Sequence, residues 1–147
     1  MHDQIIRFII LGWGKTKIYP NISEMFNARN PPSTTLREIK VLVQDRKECL
    51  QNFNTVHSVK RGDSGEFWRK FFCGGSKDPK DGTACYHDSG SPLLCTDKYG
   101  REQLHGVAVG IHGPEILNKP CKPGSQMVFF TRVATYAKWI METIISN

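Results

Sequence analysis

The sequence predicts an all-β fold, an antiparallel β-barrel with one C-terminal α-helix. Most apolar segments are short and rich in β-branched and aromatic residues, which is typical of strands. Only residues 133–144 place apolar residues at helical spacing, with Lys138 and Glu142 on the opposite face. No internal repeat, low-complexity tract or domain boundary divides the 147 residues, so we expect one domain with one core. Many short strands with a single docking helix favour a barrel.

The predicted strands alternate with turn signals. The first strand ends in Gly12-Trp13-Gly14, and the turn-rich stretch after it ends at Pro31-Pro32. In the second strand, Ile39, Val41 and Val43 are expected on one face. In chain order, the predicted strands are residues 4–13, 35–45, 71–73, 92–96, 103–111 and 126–132.

Two helices are predicted. Asp45 is a suitable N-cap for a short helix that runs through Asn52, and the polar residues 53–70 after it predict a surface loop. The C-terminal helix is expected to dock its apolar face on the barrel. That face consists of Val133, Tyr136, Ile140 and Ile144.

The composition argues against two classes of partner. The formal net charge is +6, but the basic residues are scattered and not clustered with aromatics, so we expect no nucleic acid. The longest apolar run, Ile5–Leu11, is interrupted by Arg7 and is too short to cross a bilayer, so we expect no membrane.

The same run lacks a basic leader and a small-residue cleavage site, so we predict no signal peptide in this chain.

Five cysteines at wide spacing predict two disulfides and one leftover thiol. No C-x-x-C pair is present, which argues against a zinc site or a thioredoxin-type site. We therefore expect no metal and no cofactor. Because disulfides persist in oxidising compartments, the cysteines favour an extracellular, secreted protein.

Two Asp-Ser-Gly sequences compete as the site of a nucleophilic serine, which needs a rigid, sharply turned backbone with N–H donors aimed at the developing oxyanion. Ser64 lies in a charged stretch with no cysteine nearby. Ser89 stands between Cys85 and Cys95, and the apolar Pro92-Leu93-Leu94 follows it. The context therefore favours Ser89.

The segments around Ser89 resemble a known family. "CYHDSGSPLLC" is similar to the C-x-G-D-S-G-G-P-L-x-C sequence of chymotrypsin-like serine proteases. "GWGKT", "DRKEC", "FFCGG" and "FFTRVATYAKWI" are similar to further landmarks of that family, in the family's order. Residues 1–147 thus resemble the C-terminal half of a trypsin-like protease domain. This resemblance implies a single partial domain that folds as a six-stranded Greek-key barrel with a C-terminal helix.

The resemblance also implies how the cysteines pair. Cys49 is expected to bond to Cys73, and Cys85 to Cys121. The family's partner for Cys95 would stand four residues before the Gly-Trp-Gly, where this chain has Phe8. Cys95 is then unpaired within the chain, either buried beside Phe8 or bonded to another chain, and we favour burial.

By the same resemblance, Ser89 is the nucleophile, and the backbone N–H groups of His87 and Ser89 are the oxyanion donors. The family's catalytic histidine and aspartate precede the serine, in an N-terminal half that this sequence does not contain. His57 lies in an inserted loop without the family's histidine motif, so we do not take it as the base. His87 stays open as a substitute base. Without a base, Ser89 keeps ordinary alcohol reactivity.

Three positions around Ser89 depart from the family or lack their usual partner. His87 replaces the glycine of the oxyanion donor, and we expect its side chain to restrict the backbone so that the N–H turns away. Ser91 replaces the second glycine after the nucleophile, which is a milder change. Asp88 corresponds to the carboxylate that pairs with a new N-terminal ammonium after activation cleavage. Without that ammonium we expect a solvated, zymogen-like Asp88, because its burial would be costly.

The resemblance assigns a substrate pocket to Thr83, Ala84, Val109, Ile111 and Val128. Thr83 stands where an aspartate would select arginine or lysine, so trypsin-like specificity is not expected. Ile111 and Val128 narrow the pocket. Either the pocket favours small apolar side chains, as in elastase-like relatives, or these positions are filled because no substrate binds.

Two functions follow from the resemblance. The first is the nucleophile-bearing half of a secreted serine endopeptidase, inactive without a half that carries histidine and aspartate. The second is a non-catalytic protease homologue that acts in binding or regulation; a truncated product without a separate role is a third alternative. The expected partners are a peptide or protein substrate, the missing N-terminal half, or a second copy that meets an exposed apolar barrel face.

Two short motifs lie outside these assignments. Asn21-Ile22-Ser23 is an N-glycosylation sequon in a predicted loop, which is usable if the chain is secreted. Arg61-Gly62-Asp63 is similar to an integrin-binding tripeptide. Such tripeptides often arise by chance, and we assign it no role.

Overall fold

The computed structural model describes residues 7–57, 65–76, 78–113 and 115–146, with residue 7 and residues 52–57 described by their backbone alone. Its strands form one closed barrel in the order β1-β2-β3-β6-β5-β4, and every neighbouring pair is antiparallel. The predicted six-stranded antiparallel barrel is thus confirmed. The strands are β1 (Arg7–Gly12), β2 (Arg37–Val43), β3 (Phe71–Gly75), β4 (Pro92–Thr96), β5 (Glu102–His112) and β6 (Met127–Arg132).

The barrel interior is filled by apolar side chains from all six strands. Ile10, Leu93 and Phe130 are fully buried there, and the rings of Phe72 and Phe130 stack with their centroids 5.3 Å apart. Val43 does not join this core, although its strand predicted that it would share a face with Ile39 and Val41; its exposed fraction is 43%. Its partner in register is Gly74, which has no side chain to cover it.

The helices are α1 (Ile22–Phe26), α2 (Arg46–His57), α3 (Gly65–Lys70) and α4 (Ala137–Ile145). Asp45 caps α2 as predicted, because its Oδ1 accepts a hydrogen bond from the N–H of Glu48 at 2.9 Å. The prediction of a loop over residues 53–70 is wrong, since α2 continues to His57 and α3 follows from Gly65. Phe67 and Trp68 pack α3 against the core beside β3 and β6. The polar residues around them do not indicate this tertiary contact.

The cysteines form the pairs that the resemblance implies. Disulfides join Cys49 to Cys73 and Cys85 to Cys121. Cys95 is a free, buried cysteine, and Phe8 is its register partner across β1 and β4. Burial raises the pKa of the Cys95 thiol.

The C-terminal helix does not dock on the barrel as the sequence predicts. Most of α4 is exposed: Trp139 by 66%, Ile144 by 66% and Ile145 by 78%. Helical spacing shows which residues share a face but not what covers that face, and here a single helical turn, Val133–Tyr136, leads from β6 into α4. Within the described residues, no helix is long and apolar enough to cross a membrane.

Candidate functional site

Ser89 follows a tight turn between two barrel strands. The N–H of Asp88 donates to the carbonyl of Cys85 at 3.1 Å, which closes a β-turn with Tyr86 and His87 at its centre. His87 has a φ of +76°, the left-handed value that a type II turn requires at its third residue. This conformation costs a residue with a side chain about 1–2 kcal/mol. The imidazole at this position therefore does not prevent the backbone from entering the left-handed region.

The orientation of the Tyr86–His87 peptide is held from one side. The carbonyl of Tyr86 accepts a hydrogen bond from the N–H of Lys15 at 2.9 Å. Because a trans peptide points its C=O and N–H in opposite directions, the N–H of His87 is directed away from Lys15. Neither this N–H nor that of Ser89 has a hydrogen-bond acceptor among the described residues. Two backbone donors on the same turn are therefore unoccupied.

The hydroxyl of Ser89 is exposed, and its Oγ donates to the carbonyl of Val109 at 3.2 Å. A peptide carbonyl accepts a hydrogen bond but is far too weak a base to take the proton. No histidine in the described part of the chain hydrogen-bonds to Ser89. The ring of His87 packs on Tyr86 instead, with centroids 4.3 Å apart. The described residues therefore supply no base at Ser89.

The two other histidines whose side chains the structure describes, His105 and His112, make their ring contacts away from Ser89. His105 contacts the ring of Phe8, and His112 contacts the ring of Phe129. The side chain of His57 lies outside the described residues, as do His2 and the competing serine with its neighbours, residues 61–64.

Asp88 is buried, with an exposed fraction of 5%, so the expectation of a solvated carboxylate is wrong. Its Oδ1 accepts from the N–H of Gly14 at 2.7 Å, and its Oδ2 accepts from the N–H of Cys85 at 2.9 Å. Burial raises the pKa of Asp88, while the two backbone hydrogen bonds and the neighbouring His87 oppose that rise. Two backbone donors thus replace part of the hydration that the carboxylate loses.

The Gly-Trp-Gly motif gives Asp88 its space. A Cβ on Gly12 or Gly14 would overlap the Asp88 carboxylate, and the one on Gly12 would also meet the Ser91 hydroxyl. Only glycine allows the end of β1 to approach the carboxylate this closely. Beside it is an open cavity of about 270 Å³, lined by Asp88 and Thr83 together with residues of the 12–18 and 37–39 segments.

Three of the five residues of the predicted substrate pocket pack in the barrel core, while Thr83 also lines the open cavity beside Asp88. Ala84 and Val128 are buried in the barrel core, and Ile111 packs against the same cluster. The space that Thr83, Ala84 and Val128 help to line does not admit a water molecule. Val109 stands apart from them on the β5 bulge, with an exposed fraction of 50%. The structure therefore brings these predicted residues together mostly as packing.

Lys15 is the residue that the sequence analysis missed. It is one of the basic residues scattered along the sequence, yet only 4% of it is exposed. Its Nζ donates to the carbonyls of Met25 and Asn27 at 2.5 and 3.1 Å. No sequence signal indicates this burial, because the carbonyls that accept from the ammonium are brought to it by the fold of α1.

Comparison with known proteins gives one consistent family. The trypsin family model matches residues 7–140. Chymotrypsin-like elastase family member 3B of Homo sapiens is 32% identical over 140 residues, which are 94% of this chain and 42% of the relative. Granzyme A of Bos taurus is 30% identical over 139 residues, which are 92% of this chain and 42% of the relative. Chymase of Cavia porcellus is 28% identical over 137 residues, again 92% of this chain and 40% of the relative.

The chain spans about two fifths of the length of these relatives. The match runs through all six strands, both disulfides and the turn that carries Ser89. From the barrel, the disulfides and the extent of this match, we conclude that the chain belongs to the trypsin family, the chymotrypsin-like serine proteases.

Proposed function

We propose that this chain is the nucleophile-bearing part of a secreted serine endopeptidase, with Ser89 as the nucleophile. The observation that carries the proposal is the turn before Ser89, where the N–H groups of His87 and Ser89 have no acceptor among the described residues. Two such donors are what an acyl-transfer enzyme needs to stabilise a developing oxyanion. Removing one oxyanion donor typically costs about 10²–10³-fold in kcat.

The reaction needs a base that another part of the protease supplies. A histidine of the N-terminal half takes the proton from Ser89 Oγ as that oxygen bonds to the carbonyl carbon of the substrate peptide. The carbonyl oxygen becomes the oxyanion, and the N–H groups of His87 and Ser89 bind it. The histidine then gives its proton to the leaving amine, and water hydrolyses the acyl group from Ser89. In the chain alone, Ser89 Oγ donates a hydrogen bond to the Val109 carbonyl and has no base beside it among the described residues. We therefore expect no hydrolysis of peptides by the chain alone.

Asp88 is proposed to be the carboxylate that receives an N-terminal ammonium in the completed protease. Its two hydrogen bonds come from neutral N–H groups, and no cation pairs with it among the described residues. An ammonium in the adjoining cavity would offset the cost of burying the charge. The cavity of about 270 Å³ has room for one small terminal residue that carries such an ammonium.

One observation favours the second candidate, a non-catalytic homologue used for binding. Val128 and Ala84, which the resemblance assigns to the substrate pocket, are buried in the core, and Ile111 packs against them. A catalytic form would therefore accept only a small apolar side chain, or it would have to repack this region. The substrate class that we propose is accordingly a peptide or protein cleaved after a small apolar residue.

Labelling with a fluorophosphonate, which phosphonylates an activated serine, tests the proposal. The chain is labelled alone and together with the polypeptide encoded upstream of it, with Ser89→Ala and Ser64→Ala as matched variants. We expect labelling only with that upstream half, abolished by Ser89→Ala and retained in Ser64→Ala. A folded, completed molecule that takes no label would overturn the catalytic proposal and favour the binding homologue.

A further inference from the structure

Lys15 is a buried cation that no carboxylate of the described residues neutralises. Its Nζ donates to two backbone carbonyls at the end of α1, those of Met25 and Asn27. It also lies 5.7 Å from the ring centre of Tyr19 and 5.6 Å from that of Tyr86. Burying an ammonium is costly unless such partners replace its hydration. The hydrogen bonds to α1 and the contacts with the two tyrosine rings are therefore what allow the Lys15 ammonium to be buried.

Those contacts hold Tyr86 at two points. The backbone N–H of Lys15 binds the Tyr86 carbonyl at 2.9 Å, and the ammonium of the same residue faces the Tyr86 ring. Phe26, the last residue of α1, meets that ring edge to face with centroids 4.6 Å apart. Tyr86 is therefore held by Lys15 and Phe26 together, and Lys15 in turn holds the end of α1 through the Met25 carbonyl. We name these three residues, Lys15, Phe26 and Tyr86, the Tyr86 clamp.

The peptide that the clamp holds has two alternative orientations. A type I and a type II turn over residues 85–88 differ mainly by a flip of the Tyr86–His87 peptide. The flip to type I would relieve the left-handed φ of His87. It would also break the hydrogen bond from Lys15 to the Tyr86 carbonyl and turn the His87 N–H the other way. With a glycine at 87 the type II turn would be unstrained, but with histidine it needs support.

We propose that Lys15 is a positioning residue, which through the Tyr86 clamp keeps the His87 N–H directed outward as an oxyanion donor. Its catalytic consequence rests on the proposed function. The held geometry does not, because it concerns the turn of this chain alone. The clamp compensates for the histidine that replaces the glycine of the family motif.

The test uses three variants of the full chain. Lys15→Met keeps the backbone N–H and the side-chain length but removes the ammonium. Phe26→Ala removes the ring on Tyr86 from a residue that is 52% exposed, so this variant keeps the fold even if Lys15→Met does not. Lys17→Met is the matched control, because Lys17 is an exposed lysine two residues away.

The direct readout is the nuclear Overhauser effect between the Tyr86 Hα and the His87 N–H proton, measured by NMR on the isotope-labelled chain. These protons are close in a type II turn and farther apart in a type I turn. We expect a strong signal in the wild type and in Lys17→Met, and a weakened one in Lys15→Met and Phe26→Ala. Folded Lys15→Met and Phe26→Ala chains that keep the signal at full intensity would overturn the clamp.

The second readout is the fluorophosphonate labelling rate of the completed protease. We expect Lys15→Met to lower this rate at least about tenfold, against the ~10²–10³-fold cost of losing an oxyanion donor outright. An unchanged rate in Lys15→Met would overturn the catalytic part of the proposal. If the wild type takes no label, the proposed function fails, and the proton signal still decides whether the clamp exists.

Discussion

The carboxylate of Asp88 accepts a hydrogen bond from the N–H of Gly14 at 2.7 Å, across 74 residues of sequence. This contact ties the end of β1 to the turn before Ser89. It exists only because Gly12 and Gly14 carry no side chain, since a Cβ on either would overlap the carboxylate. The Gly-Trp-Gly and Asp-Ser-Gly sequences are therefore two halves of one packing arrangement.

Gly14→Ala is expected to destabilise the chain by about 1–3 kcal/mol, the usual cost of forcing extra volume into a packed site. In an Asp88→Ala background, which removes the carboxylate, the same change should cost clearly less. Urea unfolding of the two single variants and the double variant measures this coupling. Gly65→Ala is the control, because a Cβ there meets nothing within 4 Å. An equal cost of Gly14→Ala in both backgrounds would contradict the overlap.

The stability contribution of Asp88 is expected to fall as the pH rises. Burial raises its pKa, so the native state holds the proton more tightly than the unfolded state. The benefit is present below the ordinary aspartate pKa of about 3.9 and is lost as the pH rises through the higher native pKa. The difference in unfolding free energy between the wild type and Asp88→Asn should therefore shrink with rising pH.

Asp97 provides the control of opposite sign for that experiment. The pKa of Asp97 is lowered, and the largest cause is the hydrogen bond from the backbone N–H of Arg101. Its contribution is present above the ordinary aspartate pKa and is lost as the pH falls through the lowered native value. The difference between the wild type and Asp97→Asn should thus grow with rising pH. Parallel curves for Asp88→Asn and Asp97→Asn would refute the assignment of Asp88 as a carboxyl with a raised pKa.

Truncation of two aromatic residues should change the unfolding free energy by very different amounts. Phe130 is fully buried, so Phe130→Ala should cost about 3–5 kcal/mol of unfolding free energy. Trp139 is 66% exposed on α4, so Trp139→Ala should change this free energy by less than about 0.5 kcal/mol. Urea denaturation followed by circular dichroism measures both. A large loss on Trp139→Ala would show that α4 is covered by an intramolecular contact or by a second copy.

Asn21 is expected to carry an N-linked glycan when the chain passes through a eukaryotic secretory pathway. It is exposed, and its Oδ1 caps α1 by accepting from the N–H of Glu24 at 2.9 Å, which leaves its Nδ2 available. A mobility shift removed by an N-glycosidase, and absent in Asn21→Asp and Ser23→Ala, would establish the modification. Asn21→Asp keeps a capping oxygen, so its thermal stability should match that of the unmodified wild type. A secreted wild-type chain without a shift would refute the prediction.

Much of the fold was determined by sequence alone. Alternating apolar residues identified the strands, and the spacing of landmarks around Cys85–Cys95 placed Ser89 on its turn. These signals are local, because each depends on residues within a few positions of one another. Asp45 was recognised as a helix cap for the same reason. The helix at residues 65–70 was missed, since its two aromatic anchors find their partners only in the folded barrel.

Only the tertiary structure decided the electrostatics of the site. Asp88 was expected in solvent and is buried, because distant glycines leave space for its carboxylate and N–H groups meet it there. Lys15, one of the scattered basic residues, is buried, because two carbonyls at the end of α1 accept hydrogen bonds from its ammonium. Sequence patterns report how often a residue type is exposed. Whether a particular charge can be buried depends on the donors and acceptors that the fold brings to it from elsewhere in the chain.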